Sequence, residues 1–96
     1  MNEIRQSPEF SVWLASLRDP VARAAISKRI DRAKFNNFGA TKAVRDGVWE
    51  LKFDLGPGYR VYYKQIGKIT YILLGGGVKA TQDADILKAV AIANNL

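Results

Sequence analysis

The chain has 96 residues, of which 48% are hydrophobic and 25% charged, a composition of ordinary globular kind that excludes a disordered, collagen-like or low-complexity chain. Fifteen Lys and Arg stand against nine Asp and Glu, and the net charge of +6 points to polyanionic partners such as nucleic acid or an acidic protein. Cys and His are both absent. That excludes disulfides, thiolate nucleophiles, Cys-based zinc sites and every histidine-dependent base or triad, so catalysis would fall to Lys, Arg, Tyr, Asp or Glu. No apolar run approaches the roughly 18 residues of a membrane span, and the MNEIRQSPEF start lacks the pattern of a secretory signal, so the expected place is the cytoplasm with no membrane partner.

In chain order, residues 2–6 read as a brief edge strand, and Ser7-Pro8 as the N-cap and first position of a helix. Phe10, Trp13, Leu14 and Leu17 then recur at helical spacing, ending near Arg18-Asp19-Pro20. From Pro20 to about Asn36 the stripe Ala22, Ile26, Ile30 and Ala33 predicts a second helix, and Asn36-Asn37-Phe38-Gly39 stops it. Its remaining surface carries Arg23, Lys28, Arg29, Arg32 and Lys34 with only Asp31 opposing them.

The period then changes to two. A short strand is expected around Lys42 to Val44, followed by Trp49, Leu51 and Phe53 alternating with Glu50, Lys52 and Asp54. Gly56-Pro57-Gly58 turns the chain into Tyr59–Gln65, where Tyr59, Val61 and Tyr63 share one face and Arg60, Tyr62 and Lys64 the other. Ile69 to Leu74 is apolar on both faces, as a covered central strand would be, and Gly75-Gly76-Gly77 is read as its end. Thr81 to Asn94 predicts a C-terminal helix with Thr81 as N-cap, Asp83 and Asp85 offsetting the dipole, and Ile86, Ala89, Val90 and Ala93 inward. The expected class is α+β in the order β-α-α-β-β-β-α, a single domain over residues 1–96 in which a helical hairpin packs on a mainly antiparallel twisted sheet.

If Trp49, Leu51 and Phe53 face the hairpin, then Glu50, Lys52, Arg60, Tyr62 and Lys64 fall together on the opposite sheet face. Such a face could hold phosphates on Lys and Arg and stack a base on Tyr62, or be a solvated polar face with Glu50–Lys52 type pairing. Arg29 and Arg32 of the second helix are a candidate RNA or ribosome contact, or simply the exposed side of the hairpin. The glycine runs lack the spacing of phosphate loops.

Several spaced segments go further. Phe10-Ser11-Val12-Trp13-Leu14-Ala15-Ser16-Leu17-Arg18-Asp19, Asn37-Phe38-Gly39, Asp46-Gly47-Val48-Trp49-Glu50-Leu51, Gly56-Pro57-Gly58-Tyr59-Arg60-Val61-Tyr62, Leu73-Leu74-Gly75-Gly76 and Lys79-Ala80-Thr81-Gln82-Asp83-Ala84-Asp85-Ile86 together resemble the HigB-like, phage-derived branch of the RelE/ParE toxins, the addiction-module killer proteins. The resemblance implies a RelE/ParE-like fold and a type II toxin–antitoxin system, with a cognate HigA-like helix-turn-helix antitoxin bound in a hetero-oligomer. The activity it implies is cleavage of mRNA on the ribosome without metal or cofactor, by attack of a ribose 2′-OH on the adjacent phosphate.

Under that resemblance Arg60 stabilises charge on the phosphorane, Lys52 is a base or charge partner, and Lys79 stands near another basic position of the family. Tyr62 and Lys64 then join Arg29 and Arg32 as RNA-binding residues. Glu50 stands where RelE-type enzymes carry a second lysine, and Val78 and Ala80 replace an Asp and a Ser of the killer-protein branch. The alternatives are a ParE-like inhibitor of DNA gyrase without nuclease activity and an inactive relative.

Overall fold

Ser7 joins the first strand to the first helix in the computed structural model, which describes residues 1–96. Its hydroxyl oxygen accepts from the Phe10 N–H, capping the helix as Ser-Pro predicts, while the hydroxyl donates to the Leu74 carbonyl at 2.8 Å. The elements are β1 (Glu3–Gln6), α1 (Pro8–Ser16), α2 (Pro20–Ala33), β2 (Thr41–Arg45), β3 (Val48–Lys52), β4 (Tyr59–Gln65), β5 (Thr70–Val78) and α3 (Gln82–Asn94), with a 3-10 turn over Lys79–Thr81. The fold is α+β. The five strands form one mixed sheet in the order β1-β5-β4-β3-β2, with β1 parallel to β5 and every other pair antiparallel. Asp46-Gly47, both at positive φ (49° and 80°), make the tight turn between β2 and β3.

Each face of the sheet carries its own apolar cluster. Phe10, Ala22, Ile26 and Ile30 of the α1–α2 hairpin pack against Leu51, Phe53, Val61 and Leu73 on one side. On the other, Ala89 and Ala93 of α3 lie against Val48, Tyr62, Ile72 and Leu74. The hairpin and the covered central strand are as the sequence predicts.

Three local expectations change. The second helix ends at Ala33, because Asn36 turns at φ 66° three residues later. The glycine run does not end the third strand of the meander: β5 runs through Gly75–Gly77 to Val78, with a bulge opposite Tyr62 and Tyr63. A Cβ on Gly76 would stand 2.4 Å from the Trp13 ring, and one on Gly77 would meet the Asp85 carboxylate, so the missing side chains let α1 and α3 close on the strand. Thr81 precedes α3 without capping its backbone, and its hydroxyl donates instead to the Val78 carbonyl and to Asp85.

The largest correction concerns the sheet face of Glu50, Arg60 and Tyr62. It is neither a solvated polar surface nor an open basic one, because α3 covers it and leaves these residues 1%, 5% and 0% exposed. Trp49 departs the other way, remaining 40% exposed beyond the reach of the hairpin.

Candidate functional site

Two cross-strand rows define the site on the α3 side of the sheet. Lys42, Glu50, Tyr62 and Gly75 stand opposite one another across β2, β3, β4 and β5, and Lys52, Arg60 and Gly77 form the next row. Alternation along the strands puts both rows on one face.

Arg60 is the centre. Its Nη1 donates to the Gly58 carbonyl at 2.9 Å and to the Tyr59 carbonyl at 3.2 Å. Its Nε lies 3.6 Å from Glu50 Oε1 in a pair whose side chains are 6% and 1% exposed, yet has no hydrogen-bond acceptor. Nη2 makes no bond within the chain and is not among the sealed atoms, so it is the guanidinium nitrogen left to meet solvent or a ligand. Glu50 is also held by Gln82, whose Nε2 donates to the same Oε1 at 2.6 Å, tying the first residue of α3 to β3. The ion-pair partner of Glu50 is therefore Arg60, diagonally across from it in the next row, and not Lys52. Lys52 instead pairs with Asp54, at 3.7 Å on the surface.

Tyr62 lies beneath this pair with its hydroxyl sealed and unpartnered. Burial, reinforced by the charges of Glu50 and Asp85, pushes its phenol well above the ordinary value of 10.0. A fully buried ring cannot stack on a base, which corrects the role expected for Tyr62.

Of the other expected residues, the fold brings Lys52 and Lys79 to Arg60. Lys52 is its register partner on β3 and half exposed. Lys79 is exposed on the 3-10 turn and meets Arg60 across Gly58: a Cβ on that residue would lie 3.1 Å from Lys79 Cβ and 3.3 Å from Arg60 Nη1. Gly58 also holds φ at 78°, so glycine is required there twice over.

Lys64 does not join them. It lies four residues along β4, roughly 13 Å away at strand rise, with its stem beside Gly47. Arg29 serves the hairpin: its guanidinium carbon stands 4.4 Å over the Phe53 ring, Nη2 donates to the Lys52 carbonyl and Nη1 to the Phe38 carbonyl. Burial, then the charge of Arg32, lowers its pKa from the usual guanidinium value. Arg32 is exposed on α2. Sequence reasoning did not find Gln82, and no spacing signal could, since its partner lies 32 residues away across α3 and β3. No cluster of acidic side chains with metal-ligand geometry occurs, and no helix is long and apolar enough to cross a membrane.

No family model matches the chain. It is 46% identical over 94 residues to an uncharacterized protein of Haemophilus influenzae, an alignment that covers 98% of this chain and 95% of that protein. The chain belongs to the same family as that Haemophilus influenzae protein.

Proposed function

We propose that this is the toxin of a type II toxin–antitoxin pair, with the RelE/ParE-like fold of the HigB-like branch, acting in the cytoplasm as a ribosome-dependent mRNA endoribonuclease and held by a HigA-like helix-turn-helix antitoxin. The observation that carries the reading is the meeting of Lys52, Arg60 and Lys79 at one corner of the sheet in a chain of net charge +6. The spaced motifs that resemble the killer proteins supply the reaction.

In that reaction the ribose 2′-oxygen bonds to phosphorus, the bond from phosphorus to the 5′-oxygen breaks, and one proton leaves the 2′-OH while another reaches the leaving oxygen. Arg60 meets the phosphorane through Nη2. Lys52 stands as base or charge partner at the 2′-OH, and Lys79, on a flexible four-carbon stem at the opposite side of Arg60, is placed to deliver the second proton. No cofactor or metal takes part.

A second reading, a ParE-like gyrase inhibitor or an inactive relative, is favoured by one feature: Arg60 is 5% exposed and already paired with Glu50. Growth after induction separates the two. Under the nuclease reading, Lys52→Ala and Lys79→Ala each relieve growth arrest while plasmid supercoiling is unchanged by the native chain. Full arrest by both variants, together with loss of supercoiling, would move the function to gyrase.

A further inference from the structure

A ring-lined slot lies on the hairpin side of the sheet, away from Arg60, and nothing above uses it. Phe38, Thr41, Trp49, Tyr63, Gln65 and Tyr71 enclose about 280 Å³ there. Three of these rings pack on one another, with Phe38 5.3 Å from Tyr63 at an interplanar angle of 16° and 5.1 Å from Tyr71. Trp49 stands directly across from Tyr63 in the β3–β4 register, has no ring neighbour and is 40% exposed. The Tyr63 hydroxyl is already bonded to Thr41 Oγ1 at 2.8 Å and the Gln65 amide nitrogen to the Gly67 and Lys68 carbonyls, so the slot offers mainly ring faces, with the Tyr71 hydroxyl and Gln65 Oε1 at its rim. Its volume falls below the roughly 300 Å³ at which drug-sized pockets begin and suits one planar ring.

Charge selects the occupant. Thr41 also lines a separate concavity with Lys42 and Lys52, and Tyr71 another with Lys34 and Lys68. Lys34 and Lys52 have surface carboxylates at 3.4 and 3.7 Å, pairs that water and salt weaken, and Lys42 and Lys68 have none. The carboxylate lining these three hollows is Glu50 alone, sealed at 1% exposure. An acidic peptide would match the lysines and leave the ring faces unused, whereas a nucleic acid strand uses both, the base against the rings and the phosphates over the lysines.

We propose that this slot stacks one base of a single-stranded nucleic acid on Trp49, with the strand's backbone crossing the β2 edge by way of Lys42 toward Lys52 and Arg60. That the strand is RNA rests on the function proposed above; the stacking itself needs no cleavage.

The test uses the whole chain and a 2′-O-methyl RNA hexamer, which cannot undergo 2′-OH attack, with a DNA hexamer of the same sequence beside it. In Trp13→Phe, where Trp49 is the only tryptophan, the hexamer quenches tryptophan emission. Trp49→Leu, a change at a half-exposed site, weakens hexamer binding roughly 5- to 150-fold, the range of a lost base stack. Lys42→Ala and Lys68→Ala each flatten the dependence of log affinity on log salt by about 0.7. Unchanged emission, or a folded Trp49→Leu chain that binds as the native chain does, would overturn the proposal. So would a hexaglutamate peptide that binds as tightly as the hexamer, which would make the face an acidic-protein site. Tighter binding of DNA than of the 2′-O-methyl hexamer keeps the slot and removes RNA as its strand. Stacking on Trp49 by a chain that leaves ribosome-bound mRNA intact sinks the nuclease reading alone, and cleavage without any Trp49 signal sinks the slot alone.

Discussion

At the scale of single residues, the site is governed by three buried polar groups that share too few partners. Glu50 has Gln82 and Arg60, Arg60 has two carbonyls and Glu50, and the Tyr62 hydroxyl has nothing. Removing Glu50 strands a guanidinium that is 6% exposed, so Glu50→Ala should lower unfolding free energy by about 3–5 kcal/mol, read from urea denaturation. A loss below 1 kcal/mol would mean that the carbonyls of Gly58 and Tyr59 already suffice. Tyr62→Phe works in the opposite direction. It deletes an unsatisfied buried hydroxyl and should leave the protein as stable at pH 7 or more stable by about 1 kcal/mol; a clear loss there would reveal a partner for that hydroxyl. The pH dependence follows from the raised phenol. A group with its folded pKa above the unfolded 10.0 stabilises fully below that value and loses its contribution as pH climbs from 10.0 toward the folded value. Native protein should therefore weaken more steeply above pH 10.0 than Tyr62→Phe, with the Tyr63 phenol, also raised by burial, adding the same trend to both.

At the scale of elements, the seating of α1 and α3 on β5 depends on glycines without side chains. Gly76→Ala drives a Cβ into the Trp13 ring, within 2.4 Å of its atoms, and should cost about 1–3 kcal/mol by thermal or urea unfolding. Trp13→Leu in the same chain should return part of that loss, since the clash and its relief share one contact; additive losses would place the damage elsewhere. The same region shows what the sequence could and could not disclose. Ser7-Pro8, the helical stripes of α1 and α2, and the alternation of β3 and β4 announce their elements because each carries a local period or cap. Gly75–Gly77 misleads because a glycine run usually punctuates, and here the reason for glycine is the approach of two helices distant in sequence. The covering of Glu50, Arg60 and Tyr62 is hidden for a related reason. The inward stripe of α3 includes the small Ala89 and Ala93, which say little about what lies beneath them. Lys52 and Arg60 share a face by strand alternation alone and Lys79 joins them only through the family resemblance, while the sealing of Arg60 by Glu50 and Gln82 comes only with the packing.

At the scale of the whole molecule, α3 and the hairpin divide the sheet into two chemically different sides that meet at the short edge strand β2. One side presents the cations around Arg60 and the other the aromatic slot, with Thr41 and Lys42 between them. The net charge of +6 gives both sides the same attraction to a polyanion, and salt should weaken any such encounter throughout. Under the proposed function Arg60 serves the cleavage of ribosome-bound message. The most direct measurement is primer extension on a defined mRNA in a purified translation system, with and without ribosomes, comparing the native chain with Arg60→Lys. That variant keeps a counter-charge for Glu50 and loses the forked guanidinium. Discrete cuts that require ribosomes and fall at least tenfold in Arg60→Lys are expected. An intact message under the native chain, or undiminished cuts by the folded variant, would contradict that role of Arg60.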